Sequence, residues 1–146
     1  MKNSSNGTAT SLADLPMFAA CTRRELQVVS RAVTEVRVAQ GTILTREGTR
    51  GNEFAIVLDG VASVSVHGTI VGTLGRGDHY GETSMLDDGP RTATIVAQTD
   101  MVLAVVGRQE FTALLEASPT ITRAVLGGLV RRLRDARPQE RADAVA

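Results

Sequence analysis

The spacing of hydrophobic residues along this chain changes twice. Up to about residue 32 they recur every three or four positions, and from residue 33 to 106 they alternate with polar residues or form short runs. After Gly107 the wider spacing returns. Spacings near 3.6 and 2 are typical of amphipathic helices and of half-buried strands, respectively. The pattern therefore predicts a mainly β protein with helices at both ends.

The first helix has a recognisable starting signal. Thr22 is followed three residues later by Glu25, which is a capping-box pattern. Leu26 and Val29 then fall on one helical face. These features predict a helix from Arg23 to Ala32.

The middle of the chain consists of short apolar segments separated by turn residues. About eight strands, spaced about 8–12 residues apart, are expected here, and this spacing is typical of a β sandwich or barrel. A continuous apolar run at 54–58 predicts a strand that is covered on both faces. Asp59-Gly60 predicts a hairpin turn that joins this run to the alternating segment at 61–66.

Two helices are expected at the C-terminal end. The first covers residues 108–117, and Ser118 followed by Pro119 is a typical start for the second. The second helix carries an apolar stripe that is interrupted by Gly127-Gly128. Because each glycine costs about 1 kcal/mol in a helix relative to alanine, either close packing or a bend is expected there.

The polar ends of the chain set the expected domain boundaries. Residues 1–10 are small and polar, and residues 138–146 carry few large apolar side chains. Such segments bury too little apolar surface to order themselves, so both are predicted to be tails. One domain is expected between them, at residues 11–137.

Composition argues against several classes of function. Sixteen basic and sixteen acidic residues balance, so no overall charge attracts nucleic acid or an anionic membrane. Cys21 is the only cysteine, which excludes a disulfide within the chain. No stretch resembles a signal peptide or a membrane span. A soluble, reduced, cytoplasmic protein is expected.

The polar residues also argue against metal or catalytic chemistry. The only histidines, His67 and His79, lie on separate segments without the spacing of paired ligands. No metal and no cofactor is therefore expected. The sequence contains no nucleophile–base arrangement and no His-x-His pair, so an enzyme of the cupin type on a similar jelly roll is disfavoured.

The stretch from Gly75 to Thr94 holds the candidate chemistry. Glu82 opens a possible helical turn whose first N–H groups favour an anion, and Arg91 follows a Gly-Pro turn with a planar fork that suits a phosphate. A carboxylate accepts hydrogen bonds from sugar hydroxyls. This inventory fits a sugar phosphate. The spacing alone is equally consistent with a buried Glu82–Arg91 ion pair that ties a loop to a sheet.

Three segments carry a resemblance in order, spacing and residue type. They are Glu47-Gly48-x-x-Gly51-Asn52-Glu53-Phe54-x-Ile56-Val57-Leu58-x-Gly60, Leu74-Gly75-x-Gly77-Asp78-x-Tyr80-Gly81-Glu82 and Pro90-Arg91-Thr92-Ala93-Thr94. With them the chain resembles the cyclic nucleotide-binding domain family, which includes the bacterial catabolite activator and the regulatory subunits of protein kinase A. The resemblance implies an eight-stranded β jelly roll with an N-terminal helix and two C-terminal helices.

The resemblance also implies roles for individual residues. Glu82 would take the ribose 2′-hydroxyl, Arg91 would pair with the cyclic phosphate, and the backbone N–H groups of Thr83 and Ser84 would add phosphate contacts, with Gly81 allowing close approach. Thr92 would face the base without deciding between cAMP and cGMP. On the last helix, Arg132 and Leu133 are candidates for a lid over the base.

Two hypotheses for function remain at this point. The first is a stand-alone sensor that binds cAMP or cGMP and signals through its C-terminal helices to a separate effector protein. The second is a structural or protein-interaction module on the same fold that binds no nucleotide. The apolar stripe of the 119–134 helix is expected either to form a homodimer or to pack on the jelly roll of its own chain.

Overall fold

The computed structural model describes residues 12–145, and side chains up to residue 135. A 3₁₀ turn at Pro16–Phe18 precedes the regular elements. The helices are α1 (Arg23–Ala32), α2 (Glu82–Asp87), α3 (Arg108–Ala117) and α4 (Pro119–Val145). The strands are β1 (Thr34–Val38), β2 (Ile43–Thr45), β3 (Glu53–Asp59), β4 (Ala62–Val66), β5 (Thr69–Leu74), β6 (His79–Tyr80), β7 (Thr94–Ala97) and β8 (Met101–Gly107).

The eight strands form two antiparallel sheets of four. One sheet has the order β1-β8-β3-β6, and the other has the order β2-β7-β4-β5. Helix α1 precedes the strands, and α3 and α4 follow them. This architecture confirms the predicted β roll with flanking helices.

Strand β3 separates the two parts of the hydrophobic core. Phe54, Ile56 and Leu58 face the helices, whereas Ala55 and Val57 face the second sheet. Successive side chains of a strand point to opposite faces, so a strand covered on both sides needs apolar residues at every position. The continuous run at 54–58 is therefore explained by its central place.

Two capping interactions fix where the long helices begin. The Thr22 side chain accepts from the Glu25 N–H, and the Glu25 carboxylate accepts from the Thr22 N–H at 2.9 Å, which confirms the capping box. Ser118 Oγ accepts from the N–H of Ile121 at 3.1 Å at the start of α4. The hydroxyl of Ser118 also donates to Glu25. One carboxylate therefore joins the starts of α1 and α4.

The predicted hairpin at Asp59-Gly60 is wrong. Strand β3 pairs with β6 and β8, whereas β4 pairs with β5 and β7, so this turn carries the chain from one sheet to the other. Gly60 has the positive φ of 96° that the dipeptide predicts. A tight turn fixes local backbone geometry but not the sheet that the next strand joins. The hairpin lies instead at His67-Gly68, between β4 and β5.

Other details also differ from the prediction. The two-residue strand β6 lies inside the glycine-rich stretch, for which no strand was predicted. The backbone of α4 continues to Val145, through the segment predicted as a C-terminal tail. The predicted tail at 1–10 lies outside the described residues. No helix in the described part of the chain is long and apolar enough to cross a membrane.

Candidate functional site

Gly81 sets the geometry of the central stretch. It follows β6, adopts φ 99° and stands immediately before helix α2. A Cβ atom at this position would overlap the carbonyl oxygen of Glu53 and would lie 2.7 Å from Nη1 of Arg91. Glycine is thus required both by the left-handed backbone and by the close approach of the arginine.

Arg91 lies in a slot between two glycines. On the side opposite Gly81, a Cβ at Gly51 would overlap Nε of Arg91 and lie 2.7 Å from its Cδ and Cζ atoms. The Arg91 backbone is held by two hydrogen bonds, from its N–H to Thr49 O at 2.7 Å and from the Gly48 N–H to its carbonyl oxygen at 2.9 Å. The residue is only 8% exposed. Loop backbone on both sides therefore fixes the guanidinium.

No side chain in the described part of the chain pairs with Arg91. Its Nη1 is buried without a hydrogen-bond partner, and none of the ion pairs among those residues involves it. Burial lowers the pKa of Arg91, while Tyr80 and Glu53 act in the opposite direction. A buried cationic donor without a partner is costly, and an anion would satisfy it. The expected alternative of a Glu82–Arg91 ion pair is therefore wrong.

Two further residues support the slot. Burial raises the pKa of Tyr80 to about 12, so its hydroxyl stays neutral beside Arg91. Arg108, the first residue of α3, donates from Nη2 to the carbonyl oxygen of Gly51 at 2.8 Å and lies 3.3 Å from Asp88. It thereby ties the loop that holds Gly51 to the end of α2.

Glu82 lies in a closed corner of the same stretch. It is 1% exposed, and its Oε1 lies 2.6 Å from both Nδ1 of His79 and Nη1 of Arg132. Nδ1 of His79 has no partner with hydrogen-bond geometry, although it lies this close to the carboxylate. Burial opposes ionisation of Glu82, but His79 and Arg132 outweigh it and hold its pKa below the ordinary value. The carboxylate is thus charged and already occupied by a residue of α4.

The other predicted site residues differ in how far their side chains are buried. Ser84 is buried, Thr83 is half-buried, and Thr92 is exposed. The first intrahelical bond of α2 is donated by Met85 to Gly81 O at 3.3 Å, so the N–H groups of Thr83 and Ser84 precede it and are left for other acceptors. Their predicted phosphate contacts stay predictions.

The two lid candidates differ from each other. Arg132 reaches the corner and contacts Glu82, whereas Leu133 is 69% exposed. The predicted lid over a base stays a prediction for both residues.

An open cavity of about 550 Å³ adjoins the slot. It is lined by Arg91, by residues 43–46 around β2, and by Thr49, Arg50, Asn52 and Glu53, but Glu82 does not reach it. Its volume lies within the range of small-molecule sites. Its polar lining includes Arg46 and Arg50 as well as Glu53, which suits an anionic or mixed polar ligand.

Sequence reasoning missed three residues of this region. Gly51 was part of the matched pattern, but its contact with Arg91 joins positions forty residues apart. The sequence assigns His79 no role beyond its unsuitable spacing for a metal site, yet it is 4% exposed and contacts Glu82. Arg108 carried no signal at all, because its partners are backbone carbonyls and a distant aspartate.

Comparisons with known proteins give relatives of this chain in sequence and in fold. A cAMP-dependent protein kinase regulatory subunit from Yarrowia lipolytica is 35% identical over 106 residues, which cover 71% of this chain and 28% of that protein. The chain therefore spans little more than a quarter of that relative. A cAMP-bound structure of PfPKA-R superposes with a TM-score of 0.81 at 25% identity, covering 92% of this chain and 46% of the other.

A bacterial structure is similarly close. The catabolite activator protein of Thermus thermophilus superposes with a TM-score of 0.78 at 27% identity, covering 88% of this chain and 63% of the other. The cyclic nucleotide-binding domain family matches residues 35–118, from β1 to the residue immediately before α4, and so includes both the Arg91 slot and Glu82. This chain belongs to the cyclic nucleotide-binding domain family.

Proposed function

We propose that this protein binds a cyclic nucleotide, cAMP or cGMP, at the Arg91 slot and the Glu82 corner. The cyclic phosphate lies against Arg91, with the N–H groups of Thr83 and Ser84 as further donors. A ribose hydroxyl donates to Glu82. The observation that carries the proposal is the buried Nη1 of Arg91, which has no partner among the described residues.

The energetics favour an anion in the slot. The two glycines hold the guanidinium before any ligand arrives, so little side-chain freedom remains to be lost on binding. A phosphate oxygen would replace an unsatisfied buried donor with a charge-assisted hydrogen bond. The names of the relatives add support, because the Yarrowia protein is a cAMP-dependent kinase subunit and the PfPKA-R structure is cAMP-bound.

The same arrangement supports a regulatory rather than a catalytic role. Glu82 contacts Arg132, so the residue proposed to bind the ribose touches helix α4 directly. A ligand that prefers one position of α4 shifts the population of that helix, and a partner protein can respond to the shift. The module therefore acts as a sensor for a separate effector.

Isothermal titration calorimetry with cAMP and cGMP tests the proposal. Arg91→Ala is expected to weaken binding about 100-fold or more, since it truncates a buried partner of the phosphate. The free energy of unfolding should not fall, because the arginine is unpaired in the ligand-free chain. Arg37→Ala, which removes an exposed arginine on β1 that does not line the cavity, is the matched control.

The alternative of a nucleotide-free interaction module makes the opposite prediction. In that case neither nucleotide would raise the thermal midpoint of the wild-type protein at saturating concentration. A bound ligand at about 100 times its Kd stabilises the folded chain by about 2.7 kcal/mol, which a thermal shift resolves. Absence of both the heat of binding and the thermal shift would reject nucleotide binding.

We also propose a homodimer through α4. Leu126, Val130 and Leu133 are exposed and spaced by four and three residues, which is the spacing of a coiled-coil seam. Size-exclusion chromatography with light scattering should give twice the mass of the chain. Leu126→Glu should give the mass of one chain, and a wild-type protein of monomeric mass would contradict this part of the proposal.

A further inference from the structure

The cavity beside Arg91 lies toward β2 and the loop that follows this strand. Arg91 is part of its lining, whereas Glu82 is not. Arg91 is 8% exposed and Glu82 is 1% exposed, so both lie below the surface. A ligand that comes through this cavity therefore meets Arg91 before it meets Glu82.

The lining of the cavity carries more positive than negative charge. Arg46 and Arg50 are exposed and line the cavity together with Arg91, and Glu53 is the single acidic residue among the described residues that line it. Neither Arg46 nor Arg50 takes part in an ion pair in the described part of the chain. The cavity is therefore locally positive, although the charges of the whole chain balance.

Backbone hydrogen bonds place the two exposed arginines beside the slot. Thr49 closes a turn between them, because its N–H and its hydroxyl both donate to the carbonyl oxygen of Arg46, at 3.2 and 2.7 Å. The N–H of Arg91 donates to the carbonyl oxygen of Thr49 at 2.7 Å. Arg50 pairs with Pro90 in an antiparallel bridge. The backbone at both arginines is therefore fixed relative to Arg91.

The acidic residue next to Arg46 is directed elsewhere. The Glu47 carboxylate accepts from the backbone N–H of His67 at 2.8 Å, and its other oxygen lies 3.2 Å from Nε2 of the same histidine. These contacts hold Glu47 at the turn between β4 and β5, and it does not line the cavity. Its charge is therefore not presented to a ligand there.

We propose that Arg46 and Arg50 form the entrance to the nucleotide site and set the rate at which an anionic nucleotide reaches Arg91. The proposal rests on the proposed function for its ligand. Because both arginines are exposed and hydrated, they attract the phosphate over a distance rather than hold it. The buried guanidinium of Arg91 holds the phosphate after it arrives. The entrance thus governs association, and the slot governs dissociation.

Salt distinguishes attraction at a distance from a change in the shape of the cavity. The Debye length is about 30 Å at 0.01 M ionic strength and about 3 Å at 1 M. Attraction by the entrance should therefore disappear at high salt. A misfolded loop would slow association at every salt concentration.

The first experiment is stopped-flow binding of cAMP that carries a fluorophore on its base. The double variant Arg46→Gln, Arg50→Gln is expected to lower the association rate constant about five- to tenfold at about 10 mM salt. The dissociation rate constant should stay within about twofold of wild type, since charges at the rim act mainly on association. At about 1 M salt the two proteins should associate at equal rates.

The matched control is the double variant Arg31→Gln, Arg123→Gln. It removes the same charge from exposed positions of α1 and α4 that do not line the cavity. Equal association rates in the two double variants at low salt would overturn the entrance. A difference that persists at high salt, or one that appears mainly in dissociation, would also overturn it.

A change of opposite sign gives an independent check. Glu53→Gln removes the acidic residue of the lining and should raise the association rate constant about twofold at low salt. Slower association in this variant would contradict attraction by the net charge of the lining.

A thiol on the cavity tests the entrance without any nucleotide. Asn52→Cys in a Cys21→Ser background places the single cysteine of the chain on the lining. The measured quantity is its rate of reaction with anionic dithiobis(nitrobenzoate) divided by its rate with neutral dithiodipyridine. Adding Arg46→Gln and Arg50→Gln should lower this ratio about fivefold at low salt. If the wild-type chain binds no cyclic nucleotide, the proposed function fails, and an unchanged ratio would show separately that the entrance does not attract anions.

Discussion

The Arg91 slot and the Glu82 corner lie on either side of Gly81, but they are built differently. The slot is formed by loop backbone and two glycines, and its guanidinium has no partner among the described side chains. The corner is formed by side chains, and its carboxylate already contacts His79 and Arg132. In the proposed function, one half therefore offers an unpaired donor to a ligand, whereas the other half already contacts a residue of α4.

The difference assigns separate tasks to the two halves. A rigid slot with an unsatisfied donor contributes affinity, because little reorganisation accompanies binding. A corner that holds a residue of α4 contributes communication, because its occupancy depends on the position of the helix. Substitutions at the Arg91 slot should therefore change nucleotide affinity, whereas substitutions at the Glu82 corner should change the hydrogen exchange of α4.

The largest effect is expected when the slot is narrowed. Gly51→Ala places a Cβ against the Arg91 side chain, which has no ion pair to hold it and is therefore pushed out of line. Nucleotide affinity measured by calorimetry should fall about 100-fold, equivalent to about 2.7 kcal/mol. Gly72→Ala is the control, because nothing lies within 4 Å of a Cβ at that position. An affinity within threefold of the control would mean that the slot does not place the phosphate.

A smaller effect is expected when the negative charge of Glu82 is removed. Glu82→Gln removes the charge that His79 and Arg132 face, and it should lower the free energy of unfolding at pH 7 by about 2 kcal/mol. Exchange across the second half of α4 should also rise. Glu116→Gln, on the exposed surface of α3, is the matched control.

The corner also predicts a pH dependence. The pKa of Glu82 is lower in the folded protein than in the unfolded chain, so its contribution is present above the ordinary glutamate pKa and is lost as the pH falls through the folded value. Denaturation measured between pH 7 and pH 3 should therefore show a smaller loss of stability for Glu82→Gln than for Glu116→Gln. Equal losses would show that Glu82 does not titrate below its ordinary range.

The smallest effect is expected at Arg108, which supports only the slot. Arg108→Met removes the hydrogen bond to Gly51 O and should weaken nucleotide binding by about fivefold, or about 1 kcal/mol. Hydrogen exchange of α4 should stay unchanged, since Arg108 does not contact the corner. Arg123→Met on the exposed side of α4 is the control. A change in α4 exchange would mean that the two halves are not separate.

Local sequence patterns predicted the helices and strands. The arrangement of the site depends on contacts between residues that are far apart in the chain. The capping box placed α1 at Arg23–Ala32, because its two hydrogen bonds join residues three apart. The sheet that the chain joins after Gly60 could not be predicted in this way, since it depends on the pairing of β4 with β7, about thirty residues later. Secondary-structure propensity and hydrophobic periodicity depend on local geometry. The partner of each strand, in contrast, depends on the packing of the whole core.

The same distinction holds within the candidate site. The identities of Glu82 and Arg91 were accessible from their pattern, but the partners of each were not. The spacing left an ion pair between them open, and the structure instead gives Glu82 to Arg132, fifty residues away. The cost of glycine in a helix did indicate close packing or a bend near Gly128, and its partner is His79.

The hydrogen bonds that Ser118 makes with Glu25 and Ile121 fix the first turn of α4, so the helix can tilt about this end. Ile121 and Val125 anchor its first turns in the core, whereas the residues from 131 to 135 are exposed. Fourteen residues separate Ser118 from Arg132, which at 1.5 Å per residue is an arm of about 21 Å, so a tilt of about 10° moves the arginine by about 4 Å. That travel exceeds the 2.6 Å between Arg132 and Glu82. A tilt of this size is thus large enough to separate Arg132 from Glu82.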